Sequence, residues 1–208
     1  MGRRCGRPAK NESPLDSRQK IIDSAISIIA SKGADGMTVR GICEDAGLSV
    51  GTFYHYFRDK DDLMMFFLKE TSFEDCTLET DLSCIGDRLG ELYMRLIDRY
   101  MELGEGFMKS FYSTGNRSLS AYMSEQGGGF LAGTVMERSE KEMNKALAAG
   151  IIKKECDIHL ACMDICTIVK GCVFEWCLND GRMDIRTSVF RIINNYLLPY
   201  LSSGSSAA

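Results

Sequence analysis

Between Thr38 and Lys60 the chain runs TVRGICEDAGLSVGTFYHYFRDK and alternates two kinds of side chain. Thr38, Arg40, Ser49, Thr52, Tyr54, His55 and Lys60 carry hydroxyls, an imidazole and cations, interleaved with the small Val50 and Gly51. Such a set suits hydrogen bonding to phosphate oxygens and to base edges in a DNA groove, where small residues permit close approach. The residues between them are apolar at helical spacing and must supply the scaffold.

Val39, Ile42, Cys43 and Ala46 fall at i, i+3, i+4 and i+7, one face of a short helix. Thr38 stands at its N-cap. Gly47 supplies the turn, where a positive φ costs glycine little. Ser49 caps a second helix whose Phe53 and Phe57 turn back toward the core. Upstream, Asp16 and Gln19 have capping-box spacing, and Ile22, Ala25, Ile26 and Ile29 predict the buried face of a first helix ending near Lys32, with Gly33 as its stop. Asp59 caps a fourth helix, long and apolar through LMMFFL.

At these residues the chain resembles the TetR/AcrR family of one-component transcriptional regulators. AGLSVGTFYHYFRDKDDL matches that family's N-terminal signature in order and spacing, and the resemblance covers roughly residues 15 to 75. It implies an all-α homodimer, with an N-terminal three-helix DNA module and a C-terminal helical domain for ligand binding and dimerisation. By matching position, Arg40 reaches a base or phosphate from the motif's first helix. Ser49, Val50, Gly51 and Thr52 head the recognition helix. Tyr54 and His55 touch backbone phosphates, and Lys60 stands at the next helix's N-terminus, where backbone N–H groups favour an anion. Residues 1–14 are expected to form a flexible basic arm, 15–60 the DNA module, 61–201 the effector and dimerisation domain, and 202–208 a disordered tail.

Charge agrees with that polarity. The chain of 208 residues is net −4, yet residues 1–60 hold ten Lys/Arg against seven Asp/Glu, and the remainder is net −7. A basic head on an acidic body places the electrostatic footprint at the N-terminus. Within the arm, Cys5-Gly6-Arg7-Pro8 resembles an AT-hook core. Arg7 either enters a narrow A·T-rich minor groove or contributes only phosphate attraction.

Nine cysteines at helical spacings, with no C-x-x-C pair and no export signal, point to reduced thiols in a cytoplasm. His159, Cys162 and Cys166 share a helical face and could ligate a soft metal or sense oxidants, but cysteine serves as readily as a small core hydrophobe. No metal and no cofactor are expected. No P-loop, G-x-G-x-x-G, G-x-S-x-G or H-E-x-x-H motif is present, which argues against an enzyme. No apolar run approaches the roughly 20 residues of a membrane span.

Beyond Asp81 the pattern stays helical. Leu89, Leu92, Tyr93, Leu96 and Tyr100 form one face; helices are expected at about 130–149, 157–179 and 184–201. The 157–179 segment is apolar nearly all round, so part of it is expected to face a second subunit, near Val169 and Val173. A cavity between about 82–112 and 157–179 is expected to take a small hydrophobic or aromatic effector. Tyr93, Arg95, Tyr100, Phe107, Phe111, Tyr122, Glu175 and Trp176 are the candidate lining residues by type. The other reading of residues 61–201 is a pure dimerisation and protein-partner module.

Overall fold

A computed structural model describes residues 14–33, 36–69, 73–102, 108–109 and 128–202. Arg7, Phe107, Phe111 and Tyr122 lie outside the described residues. Among the described residues every regular element is helical: α1 (Pro14–Lys32), α2 (Val39–Ala46), α3 (Val50–Tyr56), α4 (Lys60–Lys69), α5 (Ile85–Glu102), α6 (Val135–Ala148), α7 (Ile158–Leu178) and α8 (Ile185–Leu197). Short 3-10 turns, Leu82–Cys84 and Leu198–Tyr200, precede α5 and follow α8. No helix among the described residues is long and apolar enough to cross a membrane.

In the N-terminal module α1 packs across α2 and α3. It starts at Pro14, two residues before the expected cap, with proline suited to a first turn that leaves its N–H groups unpaired. The capping box does not form as read: Gln19 bonds Asp23 instead. The buried face is Ile21, Ile22, Ala25, Ile28 and Ile29, while Ile26 points out at 43% exposure. Gly33 ends α1 with φ +73°.

In the C-terminal half α5 packs against α6 and α8, and α7 packs against the same two, so the four helices close a ring. Leu89, Leu92, Tyr93, Leu96 and Tyr100 fill its interior from α5. Thr134 caps α6, which therefore begins at Val135, five residues after the expected start; Gly150 follows it in the left-handed region. Asp157 and Asp184 cap α7 and α8 through the Leu160 and Thr187 amides.

One expectation is corrected here. Val169 and Val173 are 4% and 0% exposed and belong to the chain's own core. The face of α7 turned outward instead carries Leu160, Met163, Phe174 and Leu178, which are 38–62% exposed. An apolar surround does reach both sides of α7, but the two valines lie on the inner one.

Where α5 meets α8 the helices approach closely. Asn194 bonds Asp87 at 2.6 Å and the Phe190 carbonyl at 2.9 Å, and its side chain fills the space beside Gly86. A Cβ at position 86 would overlap the Asn194 amide oxygen. Gly86→Ala should therefore destabilise the fold by about 1–3 kcal/mol, against the ~1 kcal/mol that alanine gains in a helix. Thermal melting checks this; an unchanged or raised Tm would show that the α5–α8 approach is not limiting.

Candidate nucleic-acid interface

Local capping fixes the helix-turn-helix. Thr38 Oγ1 accepts the Gly41 amide at 3.0 Å, and Ser49 Oγ accepts the Thr52 amide at 3.1 Å. Gly47 takes φ +67° between the two helices, and the Leu48 amide returns to the Cys43 carbonyl. Ile42, Cys43, Phe53 and Phe57 are buried beneath it. Ser24 of α1 ties the back of α2 by donating to the Ile42 carbonyl and to Asp45.

What remains outside is a polar surface. Val50, Gly51, Tyr54 and His55 are exposed on α3, and Ser49 and Thr52 share a hydroxyl contact of 2.8 Å at its head. Tyr54 stands 56% exposed, an unusual state for an aromatic with no polar partner to reach beyond solvent. Arg40 lies on the outer face of α2, its Nε donating to Glu44 at 2.9 Å. Asp59 caps α4 through the Asp62 amide, which leaves Lys60 at the start of that helix. Thr38, Arg40, Ser49, Val50, Gly51, Thr52, Tyr54, His55 and Lys60 thus all occur on two short helices, the turn between them and the next helix start.

Arg18 joins this module to α4. Its guanidinium lies 4.2 Å from the centroid of the Phe66 ring and 5.8 Å from that of Phe57. Such cation–π contacts hold α1, the end of α3 and α4 as a unit.

Beyond α4, residues 73–81 form an extended strap rather than more helix, a feature the sequence pattern did not signal. The strap is gripped by its backbone. Arg138 of α6 donates to the carbonyls of Phe73, Glu74 and Cys76, Arg95 to that of Thr77, and Arg88 to that of Thr80. The Glu91 carboxylate accepts the amides of Glu79 and Thr80 at 3.0 Å. Behind them Glu142, wholly buried, pairs with Arg88 at 2.8 Å, Arg138 at 3.0 Å and Lys145 at 2.8 Å. Burial alone would raise the Glu142 carboxyl; Lys145 and Arg88 outweigh it and hold it below the usual range.

Of the candidate effector residues, those among the described residues lie in different surroundings. Tyr93 and Tyr100 are buried in the ring of helices. The Tyr93 hydroxyl finds no partner of hydrogen-bond geometry, although Ser139 and Cys166 are its neighbours. Arg95 is turned outward onto the strap, Glu175 is exposed and Trp176 half-buried. An open apolar groove of about 340 Å³ lies at the C-terminal end of α7, lined by Lys109, Phe174, Cys177, Leu178 and Asp180. Lys109 and Asp180 bridge it at 2.8 Å.

Among the described residues no group of three or more His, Cys, Asp or Glu side chains could hold a metal ion. His159 stacks on Phe130 at 4.4 Å and pairs with Glu140 at 2.8 Å. Burial, then the charge of Glu140, pushes the Cys162 thiol up to about 12, and burial raises Cys43, Cys156, Cys166 and Cys172. Buried and raised, these thiols serve the core as small hydrophobes.

Desolvation raises the Glu91 carboxyl, but the Thr80 and Glu79 amides outweigh it and hold it at about 2. A depressed carboxylate stabilises the fold above its ordinary value near 4.5 and loses that contribution as pH falls through its folded value. The strap should therefore stay latched at pH 4 and release only toward pH 2. An NMR titration of the Glu91 carboxyl should find its midpoint near 2, and Glu91→Ala should speed amide exchange at Glu79 and Thr80. A midpoint near 4.5 would contradict the latch.

The sequence profile described as "Bacterial regulatory proteins, tetR family" matches residues 21–65. The HTH-type transcriptional repressor AcnR of Corynebacterium efficiens is 37% identical over 62 residues, 30% of this chain and 33% of that protein. The chain thus matches about a third of that relative's length. The "fatty acid metabolism regulator protein" of Bacillus subtilis is 26% identical over 192 residues, 89% of this chain and 93% of that protein. Among solved structures, a complex of SmeT with triclosan aligns with TM-score 0.55 at 20% identity, covering 92% of this chain and 94% of SmeT. SmeT is the repressor of a multidrug efflux pump of Stenotrophomonas maltophilia.

Proposed function

Since the chain belongs to the TetR/AcrR family of helix-turn-helix transcriptional regulators, we propose that it is a homodimeric repressor that occupies a palindromic operator and leaves it when a small apolar ligand binds. The observation that carries this reading is the outer surface of α2 and α3: two capped helices with a rigid turn, bearing Arg40, Tyr54 and His55 to solvent beside Lys60. Recognition-helix residues Ser49 to Thr52 would meet base edges, while Tyr54, His55 and Lys60 would meet phosphates. The basic segment carrying Arg7 would add to the attraction. A protein that does this works in the cytoplasm.

Dimerisation falls to the outer face of α7. Leu160, Met163, Phe174 and Leu178 form a stripe along one side, too much apolar surface to leave in water. Two-fold pairing along it would set two recognition helices on successive turns of one DNA face.

Ligand response is supported by likeness to a repressor solved with triclosan and to a regulator named for fatty acid metabolism. The apolar groove at the end of α7, which shares Phe174 and Leu178 with that stripe and would open beside the partner subunit, is the feature here that fits a hydrophobic molecule. The ligand acts only by favouring one of two states. The route to the DNA module is short: α6, the strap, then α4. Full burial of Tyr93 and Tyr100 favours the second reading, a body that only dimerises and binds protein partners.

Operator binding should weaken with salt at a slope of about −0.9 per phosphate neutralised. Lys60→Ala should weaken all duplexes alike and reduce that slope by about one. A salt-insensitive interaction, measured by fluorescence anisotropy, would rule out the assignment.

Phe174→Glu and Leu178→Glu should give folded monomers by light scattering, because both side chains are exposed in the single chain. Val173→Glu should instead abolish folding, a cost of several kcal/mol for an unpaired buried charge. Dimers persisting in both surface variants would move the interface elsewhere.

A further inference from the structure

Two acidic residues beside the helix-turn-helix cap or tie its helices, and a third pairs at the start of α4. Asp45 accepts the Ser24 hydroxyl at 2.7 Å and binds α2 to α1. Asp59 caps α4, and Asp62 accepts from Arg58. Glu44 does none of this. It lies one turn after Arg40 on the outward face of α2, and the bond recorded for its carboxylate is the Arg40 Nε at 2.9 Å. Both side chains stand in solvent, 85% exposed for Arg40 and 66% for Glu44. An exposed i, i+4 pair adds little to helix stability. A carboxylate on a surface that approaches phosphates also works against binding.

The geometry of the pair resolves this. A guanidinium has five N–H groups, and Glu44 engages the one on Nε. The Nη1 and Nη2 edge is left free, and that edge forms the two parallel hydrogen bonds that match guanine O6 and N7. In a helix-turn-helix the first helix crosses the phosphate backbone, so an arginine there can fall to a phosphate as easily as to a base. A carboxylate fixed against Nε restrains the side chain along the helix. It also repels the phosphates that would capture the guanidinium, whereas a guanine edge carries no net charge to repel.

We infer that Glu44 is a specificity-determining positioning residue, which braces Arg40 for bidentate reading of guanine and is retained at a cost in overall DNA affinity. The inference rests on the operator-binding reading above, with α2 against the duplex.

The test is selection from a random duplex pool by the full-length protein, followed by sequencing, for wild type, Glu44→Gln, Glu44→Ala and Arg40→Ala. The wild type should enrich a palindrome with guanine at one symmetry-related pair of positions. Glu44→Ala should lose that preference about tenfold, the scale of one bidentate base contact. It should also bind bulk duplex DNA more tightly, by about two- to fivefold, since one repulsive charge is gone. Glu44→Gln keeps an acceptor for Nε without the charge, and should retain part of the guanine preference with the same gain on bulk DNA. Arg40→Ala should lose guanine at the same positions, and adding Glu44→Ala to it should cost no further specificity. If Glu44→Ala enriches the wild-type sequence unchanged and binds every duplex more tightly alike, Glu44 is only a repulsive charge and the inference is overturned. If it loses guanine where Arg40→Ala does not, the brace acts on another residue and the inference is likewise overturned. If wild type enriches no sequence, the operator reading itself fails. Matching thermal melts for all four proteins exclude misfolding as the cause.

Discussion

Glu142 has no exposed surface and sits among Arg88, Arg138 and Lys145. A carboxylate in that position is costly to bury, and the three cations are what make burial tolerable. Its presence in turn fixes two arginines that would otherwise sample many rotamers. Arg88 and Arg138 are thereby aimed at the strap, and the strap is the stretch of chain that leads from α4 into the bundle. The course of the strap thus depends on an ion cluster centred on a different helix. Removing Glu142 would leave buried cations facing one another, so the cluster stands or falls as a unit.

The two halves are held by different physics. In the N-terminal module short helices are fixed by caps, one glycine turn and a few buried apolar residues, with Arg18 laid over aromatic rings at the junction. Its surface is left free for a polyanion. In the C-terminal half the described core is a ring of four longer helices, with Tyr93, Tyr100, Leu92 and Ile165 inside. The apolar side of α7 that this ring does not need is the side available to a second subunit. In the proposed dimer α7 would serve two interiors, one per face.

The helix-turn-helix was legible residue by residue because its signals are local: Thr38, Gly47, Ser49 and Asp59 each act within three or four positions of themselves. Periodicity likewise identified α5, α7 and α8 and the buried face of α5. It failed where a choice between faces depended on tertiary packing. Ile26 and Ile28 are chemically alike, and only the crossing of α2 and α3 decides which is covered. On α7, apolar residues on both sides hid which side was internal, so Val169 and Val173 were assigned to the wrong one. The strap had no periodicity to read, and its partners are 8 to 65 residues away. Among the described candidate effector residues, Tyr93 and Tyr100 are core while Arg95 and Glu175 are exposed, because side-chain type alone does not decide burial.

The strap is held through its amides and carbonyls, which every non-proline residue possesses. The bonds that grip Glu79 and Cys76 run through their backbone atoms. Substitutions there would accumulate in evolution with little penalty, while Arg88, Glu91, Arg138 and Glu142 could not change independently. Two proteins could share this joint without a single matching residue in the joint segment itself. Its trace would survive as a fixed pattern of charges on two distant helices, and an alignment of the strap alone would overlook it.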